Sequence, residues 1–133
     1  MLKIEHIGIA VKSIADSDKL FSLLFNNNAY KKEAVESQGV LTSFFQMGES
    51  KIELLEATNP ESPISKFIEK RGEGIHHIAF EVEDINVEIE RLKLAGLQFI
   101  SDVPSKGADN KLICFLHPKN TNGVLIELCQ EIK

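Results

Sequence analysis

The sequence predicts an α+β fold: a single domain of 133 residues made of two β-α-β-β-β modules. Three observations carry this expectation. First, the segment Ile4-Glu5-His6-Ile7-Gly8-Ile9-Ala10-Val11-Lys12-Ser13-Ile14 recurs as Ile75-His76-His77-Ile78-Ala79-Phe80-Glu81-Val82-Glu83-Asp84-Ile85, with 5 of 11 positions identical. Second, Lys51-Ile52-Glu53-Leu54-Leu55 recurs as Leu125-Ile126-Glu127-Leu128-Cys129. Third, all four segments alternate between apolar and small or polar residues, the period of a half-buried strand. The repeat divides the chain into module 1 (residues 1–56), a connector (57–74) and module 2 (75–133).

Each element follows from local signals. In the opening strand Ile7, Ile9 and Val11 share one face, and His6, Gly8 and Ala10 the other. The bulky face suits packing under a helix; the face with small residues suits a cavity. Ser13 caps a helix running to about Phe25, and Asn26-Asn27-Asn28 ends it. Strands are expected over 30–36, 40–47 and 50–56, with a turn at Ser37-Gln38-Gly39. The connector carries a short helix with Ser62 as cap, Pro63 in its first turn and Gly72 as its stop. Ile64, Phe67 and Ile68 form its apolar side. Module 2 repeats the plan. Its strand places Ile78, Phe80 and Val82 opposite His77, Ala79 and Glu81. Asp84 caps a helix with Ile85, Ile89 and Leu92 on one face, closed by Gly96. Strands follow at 97–101, 111–116 and 124–130, with a turn from His117 to Gly123.

Composition removes several classes of function. Hydrophobic residues are 43% and charged residues 26%, ordinary for a globular chain and against disorder. The net charge of −5 argues against nucleic acid and against anionic membrane surfaces as partners. No apolar run approaches the roughly 20 residues of a spanning helix. The N-terminal residues lack a signal-peptide pattern. Two cysteines, Cys114 and Cys129, make no disulfide framework and read as buried thiols of a cytoplasmic protein.

The polar residues inside the repeat are the functional signal. Repetition of a fold needs only the apolar period to recur; here His6/His77 and Glu53/Glu127 recur too, on the faces away from the apolar side. Two copies of one unit pair about a pseudo-twofold axis, which brings these four together. Two imidazoles and two carboxylates suit a divalent ion of the Zn, Mn, Co, Ni or Fe kind. Four protein ligands leave two neighbouring positions of an octahedral shell for a chelating substrate. His76 reads as structural, and His117 as a surface or substrate-loop residue. No Ser-His-Asp elbow, Cys-His pair, phosphate loop or CxxC is present.

These residues resemble the vicinal oxygen chelate superfamily, and within it the methylmalonyl-CoA epimerases. The resemblance runs almost end to end. It rests on Glu5 to Val11, Gln38-Gly39-Val40, Lys51 to Glu56, Gly72-Glu73-Gly74-Ile75-His76-His77-Ile78-Ala79-Phe80, Phe115 to Lys119 and Gly123 to Leu128. It implies a cupped mixed sheet and a homodimer. It implies His6, Glu53, His77 and Glu127 as metal ligands, with Co, Mn, Zn or Ni as the ion. It implies the interconversion of (2R)- and (2S)-methylmalonyl-CoA through a metal-stabilised enolate, with Glu127 also serving as an acid/base carboxylate. Some members carry a second such carboxylate where this chain has Thr42; Glu53 or a metal-bound water are the candidates to replace it. The CoA phosphates need cations, for which Lys106, Lys111 and Lys119 are candidates. The nearest rival is glyoxalase I, with the same ligands and a glutathione hemithioacetal substrate. A metal-free small-molecule binding protein has no reason to keep four ligand-type residues on cavity faces.

Overall fold

The computed structural model describes residues 1–133. In chain order the elements are β1 (Lys3–Ala10), α1 (Ile14–Phe25), β2 (Lys31–Val35), β3 (Val40–Met47), β4 (Ser50–Ala57), α2 (Pro63–Arg71), β5 (Gly74–Glu81), α3 (Ile85–Leu94), β6 (Ser105–Lys106), β7 (Lys111–Phe115) and β8 (Ile126–Glu131). The strands are hydrogen-bonded in the order β2-β3-β4-β1-β5-β8-β7-β6. The chain divides into two compact units. One is Ile7–His76; the other joins Met1–His6 to His77–Lys133. No helix is long and apolar enough to cross a membrane.

In the unit Ile7–His76, β2, β3 and β4 form an antiparallel meander. The Ser13 side chain accepts from Asp16 N and starts α1; Asn26, in the left-handed region at φ 53°, ends it. Helix α1 covers the face of Ile9, Val11, Leu41, Phe45, Ile52 and Leu54 through Ile14, Phe21 and Phe25. Cross-strand partners share a face, so Glu33–Thr42–Leu55 and Phe44–Glu53 lie on the opposite side. The far end of that side is closed by α2, whose Ile64, Phe67 and Ile68 pack on Val40, Leu55 and Ala10. Gly39 turns the chain into β3 with φ 66°, and a Cβ there would stand 3.1 Å from Ser62 Cβ, the cap of α2. Glycine meets both demands without strain, and a side chain there would push against Ser62.

In the unit Met1–His6 with His77–Lys133, β5 runs parallel to β8, and β7 pairs antiparallel with β8. The Asp84 carboxylate accepts from Asn86 N and Val87 N to start α3. Ile85, Ile89 and Leu92 of α3 then bury Val82, Cys114, Leu116 and Leu128, with Phe80 and Ile126 at the margin. The strand expected at 97–101 is corrected here. That segment makes only an isolated bridge, Phe99 to Leu116, because Ser105 and Lys106 occupy the edge of β7 opposite Ile113 and Leu112. Ile100 N and Gln98 O still bond to the end of β7 and to His117, so Leu97 and Phe99 keep their places on the α3 core.

Candidate active site

Strand alternation sets the site. In β1 the pleat that sends Ile9 towards α1 sends His6 the other way, and in β5 the pleat that sends Phe80 towards α3 does the same for His77. In β8 it separates Glu127 from Leu128. His6, His77 and Glu127 are each buried. Their ligand atoms all lie within 4.8 Å of one another. The His6 and His77 Nε2 atoms are 3.0 Å apart. His77 Nε2 lies 3.3 Å from Glu127 Oε1, and His6 Nε2 lies 3.8 Å from Glu127 Oε2. Glu127 is held between Ala79 of β5 and Phe115 of β7, its neighbours in register. The Phe115 and His77 rings meet nearly at right angles, with centroids 5.7 Å apart.

Burial pushes the Glu127 carboxyl up, but the His6 charge, the His77 hydrogen bond and the His77 charge together hold it below the usual range. The same carboxylate acts on the two buried thiols. Burial first, and then the Glu127 charge, raise Cys114 to about 12. Burial with the Glu127 and Glu5 charges raises Cys129 well above an ordinary thiol. Both are inert side chains beside the site.

Two residues that the repeat does not mark complete this cluster. Glu5 is buried, and its Oε1 lies 3.0 Å from His6 Nδ1. With Nδ1–H donating to this carboxylate, Nε2 presents a lone pair towards His77 and Glu127. Lys111 is buried as well, with Nζ 3.4 Å from Glu131 Oε1, 3.7 Å from Glu81 Oε1 and 3.9 Å from Glu5 Oε2. Its burial and its carboxylate neighbours remove Lys111 from the candidates for CoA phosphates. Lys106 and Lys119 are exposed.

The donor set suits a divalent ion. Two imidazole nitrogens on neighbouring corners of an octahedral shell, each about 2.1 Å from the ion, stand about 3.0 Å apart, and a carboxylate beside them is a hard anionic donor. Glu53 is not among the three clustered residues. It is buried in β4 opposite Phe44, in the unit Ile7–His76, on the face away from α1. Thr42 shares that face, and its hydroxyl donates to the Glu33 carbonyl at 2.8 Å. The His76 and Phe67 rings stand 80° apart in plane, with centroids 5.0 Å apart. His117 caps a short turn, its Nδ1 accepting from Lys119 N at 3.2 Å.

The chain is similar to several known proteins. The family model described as the Glyoxalase/Bleomycin resistance protein/Dioxygenase superfamily matches residues 5–115. The uncharacterized protein YqjC of Bacillus subtilis is 41% identical, over 98% of this chain and 93% of its own. The ethylmalonyl-CoA/methylmalonyl-CoA epimerase of Cereibacter sphaeroides is 38% identical, over 96% of this chain and 97% of its own. A variant of the Streptomyces coelicolor methylmalonyl-CoA epimerase, solved with 2-nitronate-propionyl-CoA, aligns with a TM-score of 0.94 at 32% identity, over 98% of this chain and 95% of that one. The matching family model and these relatives place the chain in the glyoxalase/bleomycin resistance protein/dioxygenase superfamily, and within it the chain belongs to the methylmalonyl-CoA epimerase family.

Proposed function

We propose that this enzyme interconverts (2R)- and (2S)-methylmalonyl-CoA, with a divalent cation held by His6, His77 and Glu127 and, from the repeat, by Glu53. The observation that carries the reading is the convergence of two imidazole Nε2 atoms and one carboxylate within 4.8 Å. Burial of Glu53 in the matching segment of module 1 supports its inclusion. A bound cation would supply Lewis acidity to the thioester and carboxylate oxygens of the substrate.

The chain's own residues do the rest. C2 of methylmalonyl-CoA lies between a thioester carbonyl and a carboxylate, so its proton is weakly acidic. Glu127, the carboxylate beside the two histidines, accepts that proton. The electron pair of the broken C–H bond passes into the enolate, and a proton returned to the opposite face gives the other epimer. Thr42 is a poor second base, since a hydroxyl is weakly acidic and this one already donates to a carbonyl. Glu53 or a water on the cation would serve that face in its place. The Glu5 contact holds His6 with Nε2 turned inward.

An acyl-CoA substrate is supported by the relatives solved with methylmalonyl-CoA or its analogue. A cytoplasmic location fits two free thiols, and a homodimer is the expectation of the family resemblance. The test is exchange of the C2 proton of methylmalonyl-CoA in deuterated water. Exchange and epimer interconversion with Co, Mn, Zn or Ni added are expected. No exchange, together with turnover of a methylglyoxal–glutathione adduct, would replace this reading with a glyoxalase I activity.

A further inference from the structure

The three ligand-bearing strands share a second feature. Each offers a carboxylate to the same ammonium group. Glu5 precedes His6 on β1, Glu81 follows His77 on β5, and Glu131 follows Glu127 on β8. All three lie within 3.9 Å of Lys111 Nζ, which projects from β7. The Lys111 and Glu5 side chains are only 5% and 3% exposed, so this is the buried pair of the set; Glu131, at 62%, is largely in water. A lysine is rarely this buried, and here each of its partners comes from a strand that also supplies a ligand.

We propose that Lys111 is a positioning residue for the metal centre: it fixes the Glu5 carboxylate against His6 Nδ1 and ties β1, β5 and β8 together behind the ligands. The inference rests on the metal-centre reading above. Three details support it. The two Glu5 oxygens divide their roles, Oε1 facing His6 at 3.0 Å and Oε2 facing Lys111. A carboxylate with one oxygen on His6 Nδ1 and the other drawn to an ammonium 3.9 Å away is biased to one orientation, and a histidine that donates to it is held in one tautomer and one ring angle. The ammonium also neutralises Glu5, which would otherwise be a buried carboxylate close to Glu127.

The experiment compares the parent with Lys111→Met, Lys111→Arg and the charge-balanced pair Glu5→Gln with Lys111→Met. Cobalt affinity is measured by chelator competition, and the His6 tautomer by nitrogen-15 NMR of the metal-free protein. The parent is expected to hold His6 as the Nδ1–H tautomer. Lys111→Met should weaken cobalt binding by about 10- to 100-fold and give mixed tautomers, while Lys111→Arg should stay close to the parent. The balanced pair keeps the test open if the single variant unfolds: it removes both buried charges and should bind cobalt as weakly as the single variant. A folded Lys111→Met or balanced variant with parental affinity and a single Nδ1–H tautomer would overturn the proposal. A parent that binds no cobalt yet holds the Nδ1–H tautomer in a Lys111-dependent way would overturn only the metal reading.

Discussion

The His6 and His77 rings meet nearly at right angles, their planes 86° apart and their Nε2 atoms separated by 3.0 Å. Both nitrogens are aimed at the space that Glu127 borders. His77→Ala should therefore lower metal affinity by at least about 100-fold and remove C2 exchange, while leaving the strands intact. Glu127→Ala should do the same and also remove the proton acceptor. Metal content by emission spectrometry, read beside circular dichroism, checks both. A metal-loaded, fully active Glu127→Ala protein would sink the assignment.

A site built from three strands couples the ion to folding. A ligand present at about 100 times its dissociation constant stabilises the native state by about 2.7 kcal/mol. For a chain of this size that corresponds to a rise in melting temperature of roughly 10 °C. Scanning calorimetry of chelated and cobalt-loaded protein measures it. Equal melting temperatures at saturating cobalt would contradict the ligand set.

The thiols give a prediction of opposite character. With Cys114 raised to about 12 and Cys129 also raised, neither ionises near neutrality. A disulfide reagent at pH 8 should find no reactive thiol in the native protein and two after denaturation. The linkage has a defined sign. The folded thiols keep their protons while unfolded thiols lose theirs near 9.0, so stability holds below that pH and falls as pH rises towards 12. Denaturant titrations between pH 8 and 11 check this, with a Cys114→Ala variant showing the smaller decline.

Leu54 has no exposed surface and lies against Phe45 and Val11 under α1. Leu54→Ala should cost about 2–5 kcal/mol, since this side of the sheet has little room to collapse around the cavity. Leu23, 82% exposed on the outer side of α1, should tolerate alanine with a change of about 0.5 kcal/mol or less. Paired urea titrations measure the contrast.

His6, His77 and Glu127 were legible because their signal is local: a polar residue on the small-residue face of a strand, repeated in both modules. Helix ends were legible for the same reason, since Ser13, Ser62 and Asp84 act on amides two or three residues away. Glu5 and Lys111 were not. Their pairing is fixed by which strands become neighbours, and Lys111 reads in sequence as one more cation close to a loop. The segment 97–101 has a strand's apolar residues, but its competition with Ser105 and Lys106 for one edge of β7 is a tertiary fact.

The boundary between the two units falls immediately after His6 and immediately before His77. The unit Ile7–His76 is continuous in sequence, so a nascent chain holds all of it before the first residue of α3 is made. Met1–His6 belongs with residues made after that unit. During synthesis from the N-terminus, His6 is thus made before the unit Ile7–His76 but placed only with residues made after it. The ligand cluster cannot close until β8 has left the ribosome with Glu127, and a chain released short of that strand would lack the cluster altogether.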